Sequence, residues 1–117
     1  MNIEQIREYC LKKKGVTEEF PFDEETLVFK VAGKIFLLAS LESIPLQINL
    51  KCDPEKAIEL REEYKCVQPG YHMNKKHWNT VSVENSDVDD ETVKELIDHS
   101  YGLILSKLTK KQKNLLG

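Results

Sequence analysis

The segment 69–81, PGYHMNKKHWNTV, gathers residue types that can meet nucleic acid. Lys75 and Lys76 can neutralise phosphates and release counterions. His72 and His77 add charge when protonated. Tyr71 and Trp78, the only tryptophan in the chain, can stack on an unpaired base or wedge into a groove. Residues 64–83 contain Lys65, Lys75 and Lys76 and no acid, whereas residues 84–98 hold seven acids and one lysine. The whole chain has a net charge of -3, so this positive charge is local. Screening over about 8 Å at physiological salt lets such local charge count. Each residue also has a structural reading. A tryptophan that opens a strand is more often core than contact, and a Lys-Lys pair in a loop is more often a solvated tip.

Other chemistries find less support. Cys66, His72 and His77 are zinc-type ligands, but a structural zinc site wants four ligands at tight spacing, and Cys52 would join them only through folding. No metal and no cofactor is expected. A cysteine and a histidine can make a nucleophilic pair, yet there is no glycine elbow, no phosphate-cradling loop and no His-Glu-x-x-His. Asp23, Glu24 and Glu25 beside Phe20 and Phe22 read as a solvated acidic turn rather than an acid/base site. The chain is therefore not expected to be an enzyme. A protein-interaction module is the third class, with the tail LTKKQKNLLG as a candidate surface. Asn74, Asn79 and the two histidines can bond the 69–81 loop to itself. Alternatively they can receive a small anionic ligand, with Lys75 or Lys76 as charge partner.

These residues need elements to position them. Residues 3–14 read as a helix, with Asn2 and Gln5 as a capping box and Gly15 at its left-handed end. VTEEFPFDEE reads as a loop whose Phe20 and Phe22 fold back onto the core. TLVFKV and KIFLLASL form a hairpin about Ala32-Gly33, and Ile44-Pro45 makes a turn. LQINLK alternates apolar and polar residues as a half-buried strand does. Asp53 and Pro54 open the second helix. Strands are expected at 66–68 and 78–83. A long helix enters through Ser86 to Asp90, and a short one follows Thr109.

The order α-β-β-β-α-β-β-α, with grouped strands, predicts an α+β fold: a single two-layer domain over 1–117, with an antiparallel sheet and helices on one face. At 117 residues the chain can bury a core without staples, and three widely spaced cysteines suggest free thiols in a reducing compartment. With no signal peptide and no membrane-length apolar run, the expected location is the cytoplasm.

VQPGYHMNKKHWNTV, with FPFDEETLVFKVAGKIF and LQINLKCDPEKAIELREEY upstream, resembles the MmcQ/YjbR family of small bacterial proteins. The Pro-Gly-Tyr-His-x-x-Lys-x-His-Trp-x-Thr pattern is its most specific part. The resemblance implies an antiparallel sheet with helices on one side, similar to type III secretion chaperones and frataxin-like proteins. It also implies a DNA-binding role in which β-hairpin wings contact DNA. One wing would carry Tyr71, His72, Lys75, Lys76, His77 and Trp78, and a second basic hairpin would use Lys30 and Lys34 around Gly33. The expectation is a monomer that binds DNA weakly and with little sequence preference, away from membranes. The alternative is a non-enzymatic small-ligand or protein-interaction module using the same 69–81 loop.

Overall fold

In the computed structural model, residues 1–70 and 73–116 are described. The elements are α1 (Ile3–Leu11), β1 (Val16–Glu19), β2 (Thr26–Val31), β3 (Lys34–Ser40), β4 (Gln47–Lys51), α2 (Pro54–Glu63), β5 (Val67–Pro69), β6 (Trp78–Ser82), α3 (Asp90–Ser106) and α4 (Lys110–Leu115). The six strands form one antiparallel sheet in the order β1-β2-β3-β4-β6-β5. α2 carries the chain from β4 to the far edge strand β5, and β6 fills the gap between them. Among the described residues no helix is long and apolar enough to cross a membrane.

Local chemistry explains most boundaries. Asn2 and Gln5 cap α1 reciprocally at 2.9 Å, and Thr109 and Gln112 do the same for α4 at 2.9 and 3.1 Å. Asp53 and Asp89 accept from Lys56 and Thr92 amides to start α2 and α3. Ala32 and Gly33 both have positive φ, 52° and 75°, as a two-residue hairpin twisted to match its strands requires.

Three expectations need correction. VTEE is not loop but the edge strand β1, whose Glu18 pairs with Arg7 of α1. α1 ends at Leu11 rather than residue 14, with Lys12 as its C-cap. Phe20 and Phe22 do not fold onto the core; they remain 49% and 66% exposed. The reason is that Asp23 holds the following turn through the Glu25 and Thr26 amides, at 2.9 and 2.7 Å, so that turn needs no apolar anchor.

The core lies between the sheet and α1, α2 and α3. It joins Ile6, Leu27, Phe29, Leu37, Ile48, Leu50, Val81, Leu60, Ile97 and Ile104 in one cluster. A bulge between Phe29 and Lys30 leaves Phe36 without a cross-strand partner. Its ring meets Tyr101 of α3 edge-on at 5.4 Å. Its carbonyl accepts from Ser100 Oγ at 2.6 Å, and the same Ser100 Oγ accepts from the Lys51 amide at 3.0 Å. One buried hydroxyl therefore fixes α3 against both β3 and β4.

Candidate functional site

The turn before β6 is built from inside and from beneath. Asn74 Oδ1 accepts from the Lys76 amide at 2.9 Å, and the Asn74 carbonyl accepts from the His77 amide at 3.1 Å. This Asx-type turn pushes Lys75 and Lys76 into solvent, where both are exposed. The Cys52 amide donates to the His77 carbonyl at 2.7 Å, which ties the turn to the end of β4. At its base the Gly70 amide donates to the Trp78 carbonyl at 2.8 Å. A Cβ on Gly70 would stand 2.7 Å from Trp78 Cβ, so only glycine permits this approach.

Arg61, on α2, secures the turn from below. Its guanidinium donates to Asn79 Oδ1 at 2.7 Å, to the Trp78 carbonyl at 3.3 Å and to the Lys75 carbonyl. Asn79, 2% exposed, donates in turn to the Ala57 carbonyl at 3.3 Å. Asn74 thus bonds the loop to itself, while Asn79 bonds it to a helix. Trp78 is half-buried, and its alternation with buried Asn79 places it on the sheet face opposite the helices. Tyr71 and His72 lie outside the described residues.

Antiparallel pairing then collects charge by strand end. Lys34 opens β3, Lys51 closes β4, Lys75 and Lys76 precede β6, and Lys107 caps the C-terminus of α3. All lie at one end of the sheet, with Asp53 and Glu55 at the entry of α2 as acids on the same end. Burial, and then the ammonium groups of Lys107 and Lys34, hold the Lys51 ammonium below the ordinary lysine pKa. The opposite end carries Glu19, the Asp23–Glu25 turn, Glu42, Glu84 and Asp87 to Glu91. The ion pairs among the described residues are Met1–Asp90, Arg7–Glu18, Lys13–Asp98, Lys30–Glu19 and Lys94–Glu91.

The sheet order therefore brings Lys34 to the same end as Lys75, Lys76, His77 and Trp78. Lys30 is not grouped with them: it sits within β2 and pairs with Glu19 on the neighbouring strand. Lys51, Lys107 and Arg61 are the additions that the sequence reading missed. A signal for Lys107 existed, since it continues the sheet-facing stripe Val93, Ile97, Ser100, Ile104 of α3.

Enclosed chemistry is scarce near the turn. The cavity lined by Leu50, Cys52, Leu60, Asn79, Leu96 and His99 has a volume of about 10 Å³, the room of one water, so no organic ligand is enclosed there. Burial pushes the Cys10 thiol up to about 12 and the Cys52 thiol up to about 11, and it raises Cys66, which also meets Asp87. All three thiols stay protonated and weakly nucleophilic at neutral pH. Among the described residues no cluster of His, Cys, Asp and Glu is arranged to hold a metal ion.

The fold and sequence have relatives. The YjbR family model matches residues 11–103. The uncharacterized protein YbdF of Escherichia coli O157:H7 is 42% identical over 93 residues, covering 79% of this chain and 75% of that protein. The uncharacterized protein YjbR of Escherichia coli K12 is 32% identical over 117 residues, covering 99% and 98%. Among solved structures, the crystal structure of Deinococcus radiodurans protein DR2400 superposes with a TM-score of 0.93 at 39% identity, covering 99% of this chain and 88% of that one. A Pseudomonas syringae protein matches with a TM-score of 0.75 at 28% identity, over 88% of this chain and 98% of that one. The single α+β domain with its antiparallel sheet and one-sided helices, in which Gly70 packs too closely on Trp78 for any side chain, belongs to the YjbR family.

Proposed function

We propose that the basic end of the sheet binds the phosphate backbone of DNA, without strong sequence preference and without catalysis. The observation that carries this reading is that Lys34, Lys75 and Lys76 project from one strand end and form no ion pair among the described residues. Cations that the fold does not neutralise are available to phosphates, and each phosphate they bind releases a counterion. Trp78 supports the reading by its position: it is half-buried beside this end, where its ring can meet a base or sugar. Lys30 is left out of the proposed surface because Glu19 already holds it.

The test is a fluorescence titration of Trp78 with short single- and double-stranded DNA at low and at physiological salt. A saturable change that weakens with salt and disappears in Lys75→Ala/Lys76→Ala is expected. No change in fluorescence, together with no binding by anisotropy of a labelled oligonucleotide, overturns the reading.

A further inference from the structure

Among the described residues the helices leave one face of the sheet uncovered. Ile48 and Leu50 of β4, Val67 of β5 and Val81 of β6 turn into the core cluster, and so does every buried apolar residue of α1, α2 and α3. The alternate strand residues therefore point the other way. Strand pairing sets them in rows: Lys51 opposite Trp78, Asn49 opposite Thr80 and then Gln68, and Gln47 opposite Ser82. The Cys52 amide donates to the His77 carbonyl, so Lys51 and Trp78 form the next, non-hydrogen-bonded pair, in which opposing side chains come closest. On its β5 side Trp78 meets Gly70, whose amide donates to the Trp78 carbonyl and which offers no side chain.

The middle row carries hydrogen-bonding groups with capacity to spare. Asn49 Oδ1 accepts from Thr80 Oγ1, which leaves its amide nitrogen as a donor. Gln68 Nε2 donates to the Lys65 carbonyl, which leaves its oxygen as an acceptor. The face also lacks negative charge over most of its width. The chain has 20 acidic residues, yet β3, β4, β5 and β6 contain none.

We propose that this face is the path of single-stranded DNA, taken in preference to duplex. The inference rests on the DNA reading above and names the strand form. Trp78 lies within the sheet rather than at the tip of the turn, so a base stacks on it only when it is unpaired and turned out of its own stack. Lys51 beside the ring supplies a cation for the adjoining phosphate. Asn49 and Gln68 can meet the donors and acceptors that pairing would otherwise occupy. A duplex keeps its bases stacked inside and reaches only the lysines of the turn, through its phosphates.

The test is fluorescence anisotropy of one dye-labelled oligonucleotide of mixed sequence, alone and annealed to its complement, at equal low salt, beside sedimentation velocity of the protein alone. The single strand is expected to bind at least about fivefold more tightly than the duplex, the low end of what one stacked base contributes. Trp78→Ala should weaken single-strand binding by about tenfold and duplex binding by less than about twofold. Asn49→Asp keeps the acceptor for Thr80 and adds a negative charge to the face; it should also weaken the single strand more than the duplex, and it guards against misfolding of Trp78→Ala. Duplex affinity equal to or above that of the single strand overturns the proposal and leaves the DNA reading standing. So does single-strand affinity that is unchanged in either variant, or equal weakening of both forms. Binding of neither form overturns the DNA reading as well. Self-association that Asn49→Asp abolishes, with no single-strand binding, assigns the face to a second copy of the chain and overturns the proposal.

Discussion

At the acidic end of the sheet, carboxylates hold backbone in place. Glu84 accepts from the Leu46 amide at 2.8 Å, Asp87 from the Lys65 and Cys66 amides at 2.8 and 3.1 Å, Asp89 from the Thr92 amide at 2.7 Å, and Asp23 from the Glu25 and Thr26 amides. At the basic end, Lys34, Lys51, Lys75, Lys76 and Lys107 pair with no carboxylate among the described residues. Apart from the Asp53 cap of α2, the backbone there is held by neutral acceptors and by one guanidinium, Arg61, which donates to Asn79 Oδ1 and to two backbone carbonyls. Removing charge from the two ends should therefore have different consequences. The acidic end should lose stability; at the basic end Arg61 should cost stability as well, whereas the lysines should cost only what they bind.

The largest effect on stability is expected from Arg61→Ala. It leaves the nearly buried Asn79 and two carbonyls without their charged donor, at a cost of about 2–3 kcal/mol. Urea unfolding reads this as a lower midpoint, and a midpoint within error of wild type would mean that Arg61 does not hold the turn. Lys at this position should rescue only part, because one ammonium cannot reproduce the planar fork.

Acid should act next, and at the other end. The Glu25 and Thr26 amides hold Asp23 below the ordinary 3.8; the Thr92 side chain and then its amide do the same for Asp89, and the Cys66 thiol with backbone amides for Asp87. Groups lowered in the folded state contribute stability that is present above 3.8 and is lost as pH falls through their folded values. Glu25 opposes this, since repulsion from Glu42 and a shared hydrogen bond raise it above 4.5. His99 adds a separate loss at milder pH. Its Nε2 accepts from the Asp53 amide at 3.2 Å, and burial followed by Lys56 lowers it from 6.5. Its stabilising contribution is present above 6.5 and declines as pH falls below that value towards its folded pKa. Thermal melts in matched buffers should show a first decline below pH 6.5, absent in His99→Gln, and a second below pH 4.

Single substitutions sharpen the contrast further. Asp87→Ala, which strips the Lys65 and Cys66 amides of their acceptor, should lower the melting temperature, by less than Arg61→Ala does. The smallest effect is expected from Lys75→Ala/Lys76→Ala, which should leave stability within about 0.5 kcal/mol of wild type. A large loss in that variant would erase the distinction between the two ends.

Much of this molecule was legible where the signal is local. The capping boxes at Asn2 and Thr109, the Asp53-Pro54 start and the Ala32-Gly33 hairpin depend on residues within a few positions of one another. β1 was not legible, because Val-Thr-Glu-Glu at a sheet edge buries too little to show an alternating pattern, and its pairing with β2 is what makes it a strand. Phe20 and Phe22 misled for the converse reason: apolar type does not compel burial where Asp23 already fixes the chain. Within the candidate site, Lys75, Lys76 and Trp78 stood out because they are adjacent in sequence. Lys51, Lys107 and Arg61 join them only through the β3-β4-β6 order and the packing of α2 and α3, which no spacing along the chain encodes.

The central claim is that the cations at the basic end are free of the fold and take phosphate. Its most direct test is the dissociation constant for a short DNA duplex measured across a series of salt concentrations. The account predicts that affinity falls linearly with log salt, with a slope of about -3, as expected for three or four phosphates contacted. Affinity that does not change with salt, or no binding even at the lowest salt, would contradict it.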